Sequence, residues 1–341
     1  MRTLFLLPLL PVPFLLGCPS SQPDNTGSYE AGPLPDGAIK HPCTLPGAVQ
    51  FTANGPVVVP GGDPNLPALD YLHLPVGFCA HPYGVVGNAR QMRFAPGGEL
   101  FVSSPTTPTT GGNGTAGASA IVVLPDDDED GLADKEEVFL DNLPSTQGML
   151  FNAGNFYYQD ATRIMQLPYE RGDRMPSGAA TPVVDITVYS NALHWPKTLD
   201  VSDDGHIYVG NGGGQEDPCV EPHPFLGGII EIDGTPGGKQ VAQGFRNPIN
   251  IRCARGHNQC FAVELALDYS ESMGGREKLV PIRQGDDWGF PCCATRNLPY
   301  SGVTNQKGAA PSCGGVTAES NAFIIGDTPF GIEFEPGRWA R

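Results

Sequence analysis

The chain has 341 residues, enough for one large domain or two of ordinary size, and a formal charge of −17 excludes nucleic acid as a partner, because phosphate would be repelled over most of the surface. Small molecules, proteins and cations remain. Gly 45 and Pro 35 make up nearly a quarter of the residues while apolar residues hold 40%, a composition that suits a turn-rich β fold better than a disordered chain, and long helical patterns are scarce.

The N-terminus carries Arg2 and then an apolar stretch from Leu4 to Leu16, too short to span a bilayer and of the right length for the core of an export signal. It ends Leu15-Leu16-Gly17-Cys18, which resembles the lipobox of bacterial lipoproteins and implies acylation of the Cys18 thiol. Residues 1–18 are therefore expected to be a lipoprotein signal peptide. The Pro/Gly/Ser/Asp-rich residues 19–67 show no sustained periodicity and are expected to be a flexible tether, leaving 68–341 as the folded domain. The expected location is outside the cytoplasm, facing the periplasm or cell surface, with the lipid as sole membrane contact.

A repeat runs through that domain. Gln91–Val102, Leu150–Tyr158 and Thr198–Val209 share one plan: a short apolar strand, a polar turn, and a second strand with an aromatic near its end. Ile249–Val263 is a fourth copy, and Phe330–Gly337 begins a fifth. The turn markers Gly98, Gly154, Gly205 and Asn258 stand 56, 51 and 53 residues apart, with 79 more to Gly337. Further strands are expected at Ala120–Leu124, Arg163–Leu167, Gly228–Ile232 and Lys278–Ile282. Whole hairpin-plus-strand units recurring at this interval predict four-stranded propeller blades rather than a sandwich. Because the fifth copy reaches Arg341 after one strand, the last blades are expected to be missing from this chain.

Between the first and second copies lies Asp126-Asp-Asp-Glu-Asp-Gly-Leu-Ala-Asp-Lys-Glu-Glu137. Asp126, Asp128, Asp130, Leu132, Asp134 and Glu137 stand at the ligand positions of an EF-hand loop, with Gly131 at its sharp turn, and predict a Ca²⁺ site. The flanks Ile121–Leu124 and Val138–Leu140 read as strands, so the ion would pin a loop rather than drive a helix pair.

Nine cysteines leave eight once Cys18 is set aside, an even number that after an export signal predicts disulfides. Cys253 and Cys260 flank a polar turn and are expected to pair across a hairpin. Adjacent Cys292 and Cys293 read as members of two separate bridges; the other pairings stay open among 105 connectivities.

The succession Leu74-Pro-Val-Gly-Phe78, Ala89-Arg-Gln-Met-Arg-Phe94, His194-Trp-Pro-Lys-Thr-Leu199, Gly244-Phe-Arg-Asn-Pro248 and Gly285-Asp-Asp-Trp-Gly-Phe-Pro291 is similar, in order and spacing, to the soluble glucose/sorbosone dehydrogenases. That resemblance implies an all-β, six-bladed propeller holding pyrroloquinoline quinone over its central opening and oxidising an aldose, sorbosone or related sugar, with electrons passed to an unknown acceptor. It implies His194 as general base and Arg246 as the cation that polarises the quinone, the imidazole suiting the first role by its near-neutral pKa and the guanidinium the second by its fixed charge. It implies Gln147 and Asn247 as quinone contacts. Where sugar-oxidising members carry an acidic partner for the histidine, this chain has Gly213. The basic residues that clamp the quinone carboxylates in the family would lie beyond Arg341, and the two carbonyls of its cofactor-bridging calcium would fall near Ala266 and Leu267. The missing carboxylate keeps an alternative open: a non-catalytic propeller lipoprotein that binds a glycan or a protein.

Overall fold

The computed structural model describes residues 42–105, 119–187, 194, 196–214, 219, 225–266, 275–305, 307–323 and 329–334. Four antiparallel sheets of four strands dominate. The first holds β4 (Gln91–Phe94), β5 (Leu100–Pro105), β6 (Ser119–Leu124) and β7 (Glu137–Leu143); the second, β8 (Met149–Asn152), β9 (Asn155–Asp160), β10 (Arg163–Pro168) and β11 (Thr181–Asp185). The third holds β12 (Leu199–Val201), β13 (Ile207–Asn211), β14 (Gly228–Glu231) and β15 (Lys239–Ala242). In the fourth, β16 (Asn247–Ala254), β17 (Gln259–Leu265) and β18 (Glu277–Pro281) are followed by a small hairpin of β19 (Cys293–Thr295) and β20 (Leu298–Pro299) before the fourth strand, β21 (Asn321–Phe323).

Each sheet is laid down in chain order, and the first strands meet: β4 lies against β8, β8 against β12 and β12 against β16. That is the radial arrangement of propeller blades, first strand innermost. The turn residues follow from backbone geometry, since Gly98, Gly154, Gly205 and Asn258 all have positive φ, at 106°, 74°, 90° and 46°. Glycine and asparagine populate that region at least cost, so the same residue types recur at the same place in every blade.

Apolar residues are buried between blades. Phe101, Ile121, Val123 and Phe139 of the first blade interlock with Met149, Phe156, Tyr158 and Leu167 of the second. Phe101 stands edge-on to Phe139 with ring centres 5.0 Å apart. Leu150, Ile164 and Val184 meet Leu199, Val209 and Ile230 at the next interface, and Ile229, Val241 and Phe245 meet Ile251, Ala262, Val280 and Trp288 at the one after. A blade covered on both faces has no solvent side, which is why β6 reads Ser-Ala-Ile-Val-Val-Leu without alternation and is buried throughout.

Two features depart from the expectation. The stretch taken for a tether is structured from Pro42 onward: β1 (Val49–Thr52) pairs with β2 (Gly55–Val58) and β3 (Cys79–Ala80), and a Cys43–Cys79 disulfide closes the unit over buried Leu45 and Val49. The long fourth interval is an excursion between β18 and β21, tied by Cys219–Cys292 to the third blade and by Cys293–Cys313 to itself. The vicinal cysteines thus serve two bridges, and Cys253–Cys260 joins facing positions of β16 and β17. Residues 330–334 run beside β16, where Phe330 and Ile332 carbonyls accept from Asn250 at 3.0 Å and Arg252 at 3.3 Å, the place of a further innermost strand.

A buried carboxylate ties the hub. Asp200 of β12 stands 3.4 Å from Arg93 of β4, 3.8 Å from Arg252 and 3.9 Å from Arg255, and accepts from the Cys253 N–H at 2.9 Å. Arg93 also donates to the Met149 and Leu199 carbonyls, at 3.0 and 2.7 Å, so one guanidinium fastens three blades. Asp200→Ala leaves these cations without their counter-charge and is expected to cost about 3–5 kcal/mol in urea unfolding. A loss within experimental error would show that the hub is held by packing alone.

Candidate functional site

Gln147, His194, Arg246 and Asn247 sit just before, or at the first residue of, the innermost strands β8, β12 and β16, and all four are buried. One chain of hydrogen bonds runs through this end of the blades. Gln159 Oε1 accepts from the Gln147 N–H at 3.1 Å and from the Lys197 N–H at 3.0 Å, and Lys197 Nζ donates to the His194 carbonyl at 3.2 Å. The His194 ring is joined through Nδ1 to the Gly213 carbonyl, and the Gly213 N–H donates to the Arg246 carbonyl at 2.7 Å. The Arg246 N–H then donates to Glu264 Oε1 at 2.7 Å, and its Nη1 to the Ala266 carbonyl at 2.7 Å. Glu264 is paired with Lys278 at 3.0 Å, both fully buried, and Lys278 Nζ donates to the Trp288 carbonyl at 2.8 Å.

The Nδ1 contact decides the chemistry of the histidine. A carbonyl oxygen can only accept, so Nδ1 carries the proton and Nε2 of the neutral ring keeps its lone pair. The carbonyl stands at position 213, where the family resemblance implies a carboxylate. It fixes the tautomer but, being neutral, does not stabilise an imidazolium as a carboxylate would.

The glycines here are sterically required. A Cβ on Gly212 would lie 2.2 Å from His194 Cβ and 3.2 Å from the Arg246 carbonyl, and one on Gly148 would lie 1.9 Å from the Lys197 carbonyl. His194 and Arg246 therefore both meet Gly212 and Gly213. At the same end of the blades Asn247 Oδ1, Thr146 Oγ1 and Thr198 Oγ1 are buried with no hydrogen-bond partner among the described residues. Because the Ala266 carbonyl already serves a guanidinium, it is poorly placed for a cation; Leu267 lies outside the described residues, as do Trp195 and Cys18.

In the acidic loop between β6 and β7, carboxylate oxygens of Asp126, Asp128 and Asp130 come within 4.8 Å of one another. Asp126 accepts from the Asp130 and Gly131 N–H groups, both at 3.0 Å, and Gly131 takes a φ of 88°. Burial raises the Asp126 pKa above its ordinary value, against the lowering effect of those two N–H groups. Leu132 is held through its N–H by Asp130 at 2.9 Å. Asp134 and Glu137 stand outside the three-carboxylate group, the first accepting from the Asp127 N–H and the second paired with Lys135, both at 2.5 Å. Arg174 of the second blade grips Asp127, fastening the loop across the interface and lowering the Asp127 pKa.

Sequence patterns missed Gln159 and Lys197, which link the second and third blades beneath His194. The only hint of Lys197 was a lysine inside the apolar His194–Leu199 landmark. Its burial pushes the ammonium pKa down to about 7.

A family model described as a domain of unknown function (DUF7133) matches residues 69–234. No curated protein matches the chain. Among solved structures it resembles the iodide form of a Trichoderma reesei carbohydrate-active enzyme of family AA12, with 14% identity, a TM-score of 0.56, and 72% of this chain matched to 69% of that one. It likewise resembles the holo form of the PQQ domain of pyranose dehydrogenase from Coprinopsis cinerea, with 13% identity, a TM-score of 0.54, and 70% of this chain matched to 66% of that one. At such identities the likeness is one of fold.

Two outcomes are expected of these features. Gly212→Ala forces a methyl into the His194 side chain and is expected to lower stability by about 1–3 kcal/mol, read by urea unfolding, and an unchanged midpoint would refute the close approach. Calcium at the acidic loop is expected to raise the Tm, by about 2.7 kcal/mol of stabilisation at a hundred times Kd. Asp128→Asn should abolish that rise, and a wild-type Tm indifferent to both calcium and chelator would dismiss the site.

Proposed function

We propose that the chain is a quinone-dependent oxidoreductase that oxidises an aldose, sorbosone or related sugar, with His194 as general base. The observation that carries this reading is the His194 Nδ1 contact with the Gly213 carbonyl, which leaves Nε2 as the acceptor for a hydroxyl proton. The absent carboxylate had favoured a binding-only propeller; a backbone carbonyl at the same position supplies the orienting bond. The fold shared with the PQQ domain of pyranose dehydrogenase supports the class of reaction.

The polar groups at this end of the blades suit a flat ligand with polar edges. Asn247 and Gln147 would hold a quinone through their amides, Asn247 Oδ1 being buried and without a partner among the described residues. When bound, pyrroloquinoline quinone supplies the hydride acceptor. His194 takes the proton of the sugar hydroxyl as hydride leaves the same carbon, so that the carbinol becomes a carbonyl. Arg246 contributes a permanent positive charge beside the acceptor, and its bond to the Ala266 carbonyl fixes where that charge stands. Burial of the site lowers the local dielectric and strengthens both effects. The acidic loop, residues 126–137, would hold a structural Ca²⁺.

Four disulfides support an oxidising compartment for the described domain. We extend this to export by residues 1–18 and anchoring through an acylated Cys18 to a bacterial membrane, with a sugar as the small-molecule partner and an electron acceptor of unassigned identity.

The test is dye reduction by the full-length chain with added pyrroloquinoline quinone, calcium and a panel of aldoses. Quinone-dependent turnover is expected, with His194→Ala lowering kcat/KM by about 10²–10⁴-fold. Folded protein that reduces no dye with any aldose, or a His194→Ala variant of undiminished activity, would overturn the proposal.

A further inference from the structure

Lys197 is fully buried. A lysine in that position is costly to keep, since its charge is stripped of water and an apolar residue of like volume would pack as well. Three of its contacts bear on the histidine. Its N–H is held by Gln159 of the second blade at 3.0 Å, its carbonyl lies so close to Gly148 that a Cβ there would be 1.9 Å away, and its Nζ donates to the His194 carbonyl at 3.2 Å. The backbone of Lys197 is thus fixed to one blade while its side chain reaches back three residues and grips the residue that carries the imidazole. We propose that Lys197 is the positioning residue of the His194 base: by donating to the His194 carbonyl it holds the turn that sets the ring against Gly213, and so selects the Nδ1–H tautomer.

The amine serves in either charge state, because both –NH₃⁺ and –NH₂ donate, so its lowered pKa does not interrupt the bond near neutral pH. The backbone of Arg246 is joined to the His194 ring through Gly213. The importance of the tautomer for catalysis rests on the oxidoreductase reading, but its selection by Lys197 does not.

The test is ¹⁵N NMR of the histidine-labelled full chain, with neither quinone nor sugar present, so that it can fail while the proposed activity survives, and the reverse. The wild-type protein is expected to show His194 as a single Nδ1–H tautomer. Lys197→Met removes the donor and Lys197→Gln ends one bond short of the carbonyl; each is expected to yield a mixture of tautomers in a chain that is otherwise folded by near-ultraviolet circular dichroism. A lysine that merely fills the core would leave the His194 signals unmoved, and an unchanged single tautomer in either folded variant overturns the proposal. The wild-type chain gives an independent reading should neither variant fold: the Lys197 Nζ signal should be in slow exchange with water, and fast exchange would refute the bond.

Discussion

The contact on which the site depends is the approach of Gly212 and Gly213 to His194 on one side and Arg246 on the other. No residue with a side chain fits at 212 without displacing the histidine, and Gly213 uses its carbonyl for the imidazole and its N–H for the Arg246 carbonyl. One residue thereby joins two groups that lead into different innermost strands. The fold supplies the rest, by bringing the first strands of successive blades together so that residues 147, 194 and 246 are linked through Gln159, Lys197 and Gly213.

Rigidity around this contact comes from two sources. Toward the second blade it comes from Gln159, whose single oxygen holds both Gln147 and Lys197. Toward the fourth it comes from the Glu264–Lys278 pair, which braces the Arg246 backbone and reaches the Trp288 carbonyl in the excursion between β18 and β21. A buried ion pair is weak evidence for stability, because desolvation offsets its attraction. Here it fixes the geometry of neighbouring polar groups, and the Cys219–Cys292 disulfide adds a covalent tie between the excursion and the segment that follows Gly214. The propeller thus has a packed hub at Asp200 and a polar, cross-linked end at the starts of its inner strands.

The blades were legible in the sequence because each needs the same backbone turn, and positive φ at Gly98, Gly154, Gly205 and Asn258 left glycine or asparagine at each. The Cys253–Cys260 bridge was legible for a similar reason, since facing hairpin positions are local. Cys219–Cys292 was not, because its partners lie in different blades and only the assembled fold brings them together. The small N-terminal sheet escaped notice since β1 and β2 have four residues each, β3 two, and all lie in a Pro/Gly-rich stretch without periodicity. At the site, His194 and Arg246 carried chemistry in their residue types. Lys197 and Gln159 did not stand out, because what makes them matter is burial and reach, which belong to tertiary structure. The acidic loop was half legible: the spacing predicted six ligands, three of which converge while Asp134 and Glu137 are taken up by local partners.

The central claim is that these inner-strand residues form a seat for a quinone. Equilibrium titration of the full-length chain with pyrroloquinoline quinone, followed through the absorbance of the quinone, addresses it without any sugar or electron acceptor. Saturable one-to-one binding, weakened by Arg246→Ala and by Asn247→Ala, is the predicted result. Binding that does not saturate, or an affinity indifferent to both substitutions, would contradict the account.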